Sequence, residues 1–163
     1  MIQKVAVIGA GIMGNQIAMQ VAIHGYDVVC YDLSEKMVEK AAEFSKGWFE
    51  KRVAKGKMSQ ADADEIQGRL IFTNDIQKAG ENADMVIEAV SDVVAIKKSA
   101  LGQIDKITPP HCIYASNSSY IVSSRFCDAV EDPSKVLNVH FFNPALVMKT
   151  VEVVKGPHTA KET

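Results

Sequence analysis

At 163 residues, with 18 basic against 20 acidic side chains and a formal charge of -2, the chain is long enough for one domain with a real core and has no cationic excess that would point to a nucleic-acid partner. Its 47% hydrophobic and 23% charged residues are ordinary for a globular protein, and no apolar run reaches the length of a membrane span. Cys30, Cys112 and Cys127 are far apart and without metal spacing, and Met1-Ile2-Gln3-Lys4 enters the first strand with no signal-like region, so a soluble, cytoplasmic protein with reduced thiols is expected.

Val5-Ala6-Val7-Ile8 breaks directly into Gly9-Ala10-Gly11-Ile12-Met13-Gly14, three glycines spaced G-x-G-x-x-G. The pattern predicts a buried strand, a tight turn facing a phosphate and the start of a helix. Gly9 serves the turn, Gly11 the close approach of a pyrophosphate and Gly14 the packing of helix on strand, with Ile12 and Met13 in the first turn whose N–H groups face the anion. The same spacing also occurs in turns that hold no ligand. Context favours a dinucleotide. A helix follows from about Ile12 to His24, with Gly25 as its stop, and a second strand, Val28-Val29-Cys30-Tyr31, ends in Asp32, at about the twenty-residue offset of a ribose-binding acid.

Ser34 is placed to cap a long helix that runs to about Lys55 and stops at Gly56; its basic end, from Lys51 to Lys57, reads as a solvated terminus or a contact for a ligand phosphate. Ser59 starts a shorter helix ending at Gly68, Leu70-Ile71-Phe72 is a small strand, and Thr73-Asn74-Asp75 is a turn. An apolar strand over 84–89, a helix over 92–107 ended by Pro109-Pro110, and the strand Cys112-Ile113-Tyr114-Ala115 follow, the last emptying into Ser116-Asn117-Ser118-Ser119. A further short helix, a turn at Asp132-Pro133, the strand Val136-Leu137-Asn138-Val139 ending at His140, and a last strand over 151–154 complete the pattern. His24 and His111 read as a helix end and a turn residue, and His158 as tail. The alternation predicts an α/β, Rossmann-like doubly wound, mostly parallel sheet with helices on both faces, in one domain over 1–163. Ligands in such sheets bind beyond the carboxyl ends of the strands, where Gly9, Asp32, Ser116 to Ser119 and His140 all fall.

The stretch His140-Phe141-Phe142-Asn143-Pro144 and its continuation to Val153, with Ala115-Ser116-Asn117-Ser118-Ser119 and Val86-Ile87-Glu88-Ala89-Val90, closely resembles the cofactor-binding domain of the 3-hydroxyacyl-CoA dehydrogenases, including the bacterial 3-hydroxybutyryl-CoA dehydrogenases. The resemblance implies NAD as cofactor, an acyl-CoA substrate and a place in fatty-acid β-oxidation. By it, His140 matches the catalytic histidine, and Glu152, twelve positions on, the carboxylate that holds it. Ser119 matches the serine at the substrate's 3-oxygen, Asn143 an asparagine near the nicotinamide, Asp32 the ribose acid and Lys97 a cofactor-contacting lysine. Asp92 stands where the family has a glutamate, and Lys55 aligns with a lysine that contacts coenzyme A. Departures are Ser118 for a threonine, Tyr120 for a small residue, Ala145-Leu146 where proline is usual at the second place, and Thr150 for leucine. Tyr120 directly follows Ser119, where it is placed to narrow the acyl pocket or change chain-length preference. The family continues into a helical domain that supplies another active-site asparagine, much of the acyl pocket and the dimer contact. None of it lies within these residues, so a homodimer is expected only of a longer form, and slow turnover of this stretch alone.

The chemistry suits the residues. Oxidising a secondary alcohol needs a base for the hydroxyl proton, and histidine titrates nearest neutrality. A carboxylate on its far nitrogen fixes the tautomer, and a serine hydroxyl can donate to the carbonyl oxygen in the reverse direction. Taken singly, His140 is also a strand-end core residue, Glu152 a surface acid, Ser119 a turn hydroxyl, and Lys97 and Lys98 exposed helix residues. The alternative reading is a dinucleotide-binding module without turnover.

Overall fold

The computed structural model describes residues 1–163. Strand β1 (Lys4–Ile8) sends Val5 and Val7 into one core and Ala6 and Ile8 into another, one on each side of the sheet. Burial on both faces is why the run is apolar throughout rather than alternating. One half of the chain continues as α1 (Ile12–Ile23), β2 (Asp27–Tyr31), α2 (Glu35–Ala54), α3 (Gln60–Gly68) and β3 (Leu70–Thr73). The other half is α4 (Ile76–Gly80), β4 (Met85–Glu88), α5 (Val94–Asp105), β5 (Ile113–Ser116), β6 (Val136–Phe141) and β7 (Val151–Lys155).

The strands form one seven-stranded sheet in the order β3-β2-β1-β4-β5-β6-β7. Every pairing is parallel except that of β6 with β7. This is the expected doubly wound α/β architecture. Helices α1, α2 and α3 cover one face around Ile17, Met19 and Phe49, and α4, α5 and the segment after β5 cover the other around Leu101, Ile104 and Phe126. The strand order reverses between β1 and β4, which opens the crevice in which ligands of such sheets bind.

Four local expectations change. Ser34 is the N-cap residue of α2, but its hydroxyl makes no capping bond; its backbone N–H donates to the Asp32 carboxylate. A single helical turn, α4, interrupts what reads as a plain turn, started by Asp75, whose carboxylate accepts from the Gln77 and Lys78 N–H groups. The short helix expected after Ser119 is two 3-10 turns, Ser123–Arg125 and Cys127–Ala129; buried Asn138 accepts the Ser123 N–H and donates to the Ile121 carbonyl. His158 is not loose tail, since its ring meets the Val136 carbonyl at 3.2 Å.

The amino ends of the central strands are tied by one carboxylate. Asp84, just before β4, accepts the N–H groups of Gln3 and Lys4 at 2.8 and 2.9 Å and meets the His111 ring at 2.9 Å. The Lys4 and Gln3 N–H groups, then His111, hold its carboxyl down at about 2, against an ordinary 3.8. A carboxyl lowered by folding contributes stability that is whole above its unfolded value and is lost as pH falls through its folded value. We therefore expect Asp84→Asn to melt below the parent near neutrality, with the gap closing as pH falls from about 4 to about 2. Thermal melts across that range check it, and a gap independent of pH refutes it.

Candidate active site

The glycine turn has little freedom. Gly9 has φ +102°, and a Cβ there would also meet the Ala89 carbonyl oxygen at 2.8 Å. A Cβ on Gly14 would fall inside the Gly9 carbonyl, so only glycine lets α1 lie this close to the end of β1. In front of Gly11 the space is open, with nothing within 4 Å of where a Cβ would sit. Helix α1 begins there with no side-chain cap and no acid in its first turn, which leaves the N–H groups around Ile12 and Met13 for an anion. Asp32, at the carboxyl end of β2, accepts the Ala10 N–H on Oδ2 and the Ser34 N–H on Oδ1, each at 2.9 Å. Each oxygen keeps a lone pair for a sugar hydroxyl. A groove of about 580 Å³ joins these parts, lined by Gly9, Gly11, Asp32, Val90, Ser91 and one face of α5.

His140 and Glu152 are directly opposite one another in the β6–β7 register, with Nδ1 3.0 Å from Oε2. Opposed residues of an antiparallel pair point to the same face of the sheet, so the twelve-residue separation closes into one contact. The Phe142 ring packs on the imidazole at a centroid distance of 4.8 Å. Asn117, just after β5, accepts the Phe141 N–H at 2.9 Å, tying the loop that carries exposed Ser119 to the end of β6. Asn143 is exposed just beyond β6. Three strand spacings, about 14 Å, separate β1 from β6.

A group of charges lies between these two places, in which sequence reasoning assigned Lys97 and Asp92 but not the acid they gather around, Glu88. Glu88, wholly buried at the end of β4, receives the Lys97 ammonium on both oxygens at 2.9 and 3.0 Å, the Ser116 hydroxyl at 2.6 Å and the Val90 N–H at 2.7 Å. Lys97, expected at the surface to reach a cofactor, is 1% exposed; it faces the interior and also meets Asp92 at 3.1 Å. Burial works to raise the Asp92 carboxyl, but the Ser118 hydroxyl and Lys97 outweigh it and hold Asp92 below the usual carboxylate range. Removing one member of such a buried pair costs about 3–5 kcal/mol, whereas an apolar replacement of both is often neutral. The available signal was an acid closing an apolar strand, with a lysine nine residues on at the start of a helix.

Lys55 caps the carboxyl end of α2 with an exposed side chain, about 30 Å along that helix from the Asp32 end. The structure does not bring it to the other candidate residues.

The family model of the 3-hydroxyacyl-CoA dehydrogenase NAD binding domain matches residues 4–163. The chain belongs to that family. It is 38% identical to the 3-hydroxyadipyl-CoA dehydrogenase of Escherichia coli over 99% of this chain and 34% of that protein. It is 35% identical to a probable 3-hydroxybutyryl-CoA dehydrogenase of Bacillus subtilis, over 99% of this chain and 56% of that one. The crystal structure of (S)-3-hydroxybutyryl-CoA dehydrogenase from Ralstonia eutropha superposes with a TM-score of 0.93 at 31% identity, covering 99% of this chain and 57% of its own. The chain thus spans between a third and somewhat over half the length of these relatives. The cofactor is NAD, and the open front of Gly11, the uncapped start of α1 and the spare lone pairs of Asp32 fit it.

Asp32 is suited to a free ribose 2′-hydroxyl and repels a 2′-phosphate. The 163-residue protein is therefore expected to bind NADH more tightly than NADPH, and Asp32→Ala to weaken NADH by roughly tenfold or more, the scale of a lost charged hydrogen bond. Fluorescence titration of both cofactors measures this; equal or tighter NADPH binding removes Asp32 from the role.

Proposed function

We propose that this chain is the cofactor-binding and acid–base half of an NAD-dependent dehydrogenase interconverting (S)-3-hydroxyacyl-CoA and 3-oxoacyl-CoA. The observation that carries the reading is His140 held by Glu152 at 3.0 Å, at the carboxyl end of a strand in the same sheet that presents the glycine turn. A carboxylate only accepts, so Nδ1 carries the proton and Nε2 keeps its lone pair as the base. NAD, when bound, supplies the hydride acceptor. Nε2 takes the hydroxyl proton of the substrate, and Glu152 balances the imidazolium that forms. In reduction His140 returns that proton, while the Ser119 hydroxyl donates to the 3-oxygen as negative charge builds there.

Asn143, beyond β6, is assigned to the nicotinamide end, and Asp92 to the middle of the cofactor site, with buried Lys97 behind it. Tyr120, 70% exposed, donates to the Asp92 carbonyl at 3.4 Å and stands beside Ser119, placed to narrow the acyl pocket or change chain-length preference. Lys55 is assigned to the coenzyme A end of the substrate on the family match alone. Free thiols at Cys30, Cys112 and Cys127 and the near-neutral charge support a reduced, cytoplasmic setting without nucleic-acid or membrane partners. The homodimer belongs to a longer form, through the helical domain of the family.

One observation favours the reading without turnover for this chain on its own. Ser119 and every residue of β7 are exposed, so the acyl side of the site lacks a wall. Misplacing a reacting carbon by about 1 Å costs on the order of a hundredfold. The 163-residue protein should therefore reduce acetoacetyl-CoA slowly, and His140→Ala should lower that rate by about a hundred- to ten-thousandfold. Glu152→Gln should cut it less. Full residual turnover in His140→Ala makes another residue the base, and NADH binding with no turnover at all favours the binding-module reading.

A further inference from the structure

The charges under the site form a closed circuit. Glu88 reaches Ser118 by two routes. Along one, Lys97 bridges Glu88 to Asp92 at 3.1 Å, and the Ser118 hydroxyl lies on the side of Asp92, where it helps to keep that carboxylate charged. Along the other, Ser116 donates its hydroxyl to Glu88 at 2.6 Å and accepts the Ser118 N–H at 3.3 Å. Glu88 and Ser116 are wholly buried, Lys97 is 1% exposed and Ser118 7%; only Asp92, with 37% of its side chain exposed, reaches solvent. Asp92 follows Val90 and Ser91, which line the cofactor groove, and Ser118 precedes Ser119.

A buried ion pair contributes little net stability compared with apolar packing, so stability alone does not account for this one. Its partners account for it better. Apart from Lys97, the Glu88 carboxylate is bonded only by the Val90 N–H and the Ser116 hydroxyl, at the ends of the two loops that border the site. Lys97 faces two carboxylates with one charge. Glu88 holds it with both oxygens, whereas Asp92 meets it with Oδ1 alone and keeps 37% of its side chain exposed.

We propose that Glu88 is a positioning residue of the cofactor site, which neutralises Lys97 so that Asp92 stays turned to the groove as an acceptor and Ser118 holds the Ser119 loop in place. The proposal rests on the cofactor site described above and assigns a role to a carboxylate that touches neither cofactor nor substrate. When Glu88 loses its charge, the Lys97 ammonium has only Asp92 to balance it, and Asp92, already in contact through Oδ1, is drawn inward on its second oxygen as well.

The test is a double-mutant cycle on NADH affinity, measured with the 163-residue protein, with melting curves alongside. Asp92→Asn and Glu88→Gln are each expected to weaken NADH by about five- to tenfold, and the double variant to be no weaker than the weaker single, because both changes remove the same acceptor. A general loosening of the fold would instead multiply the two losses. Glu88→Gln or Asp92→Asn with parental affinity, or losses that multiply, overturns the proposal. Where Glu88→Gln does not fold, Ser116→Ala takes its place, since it keeps every charge. It should weaken NADH by about threefold, and the loss should vanish in the Asp92→Asn background; parental affinity or a multiplied loss overturns the proposal there too. A parent that fails to bind NADH sinks the cofactor site and this proposal together, whereas a binding parent with an unaffected Glu88→Gln sinks the proposal alone.

Discussion

Helix α1 lies on β1 only because nothing projects from Gly14 toward the Gly9 carbonyl. From that contact follow the direction in which the helix start points, the open space before Gly11 and the position of the Ala10 N–H, which Asp32 then takes. The acid proposed for the ribose thus also fastens the loop proposed for the phosphates. One residue couples the two halves of a dinucleotide site.

The sheet divides its labour by strand direction. The parallel strands gather loops at one edge, which suits a long anionic ligand laid across them. An acid–base pair needs two side chains facing each other at contact distance, and an antiparallel pair provides that directly, because opposed residues share a face about 4.5–5.5 Å apart. Adding β7 in the opposite sense is therefore the step that sets a carboxylate against His140.

What the sequence revealed follows from how narrow each physical requirement is. The glycine turn was legible because no other residue fits at Gly9 and Gly14, and Asp32 because a strand must end where the ribose lies. His140 and Glu152 were legible through the family block; their spacing becomes a contact only once the strands are known to be antiparallel. The burial of Lys97 was hidden, since a lysine on a helix is ordinarily solvated, and its partner Glu88 reads as one acid in an apolar run. The turn α4 and the 3-10 turns after Ser119 were missed or misread because side chains distant in sequence or local caps, not periodicity, satisfy their backbones. Lys55 rests on alignment, and the geometry adds nothing to it.

Strand β7 is the outermost of the sheet, exposed along its whole length and paired on one side only. Edge ladders are among the first parts of a sheet to open in native-state fluctuations. Each opening of this ladder takes Glu152 away from His140 and leaves the groove at Gly9 and Asp32, four and five strands away in the sheet order, intact. Amide exchange should therefore run fast in β7 and slow in β1 and β4. Opening of this edge bears on the His140–Glu152 contact and not on the glycine turn, so the two are mechanically separable in this fold.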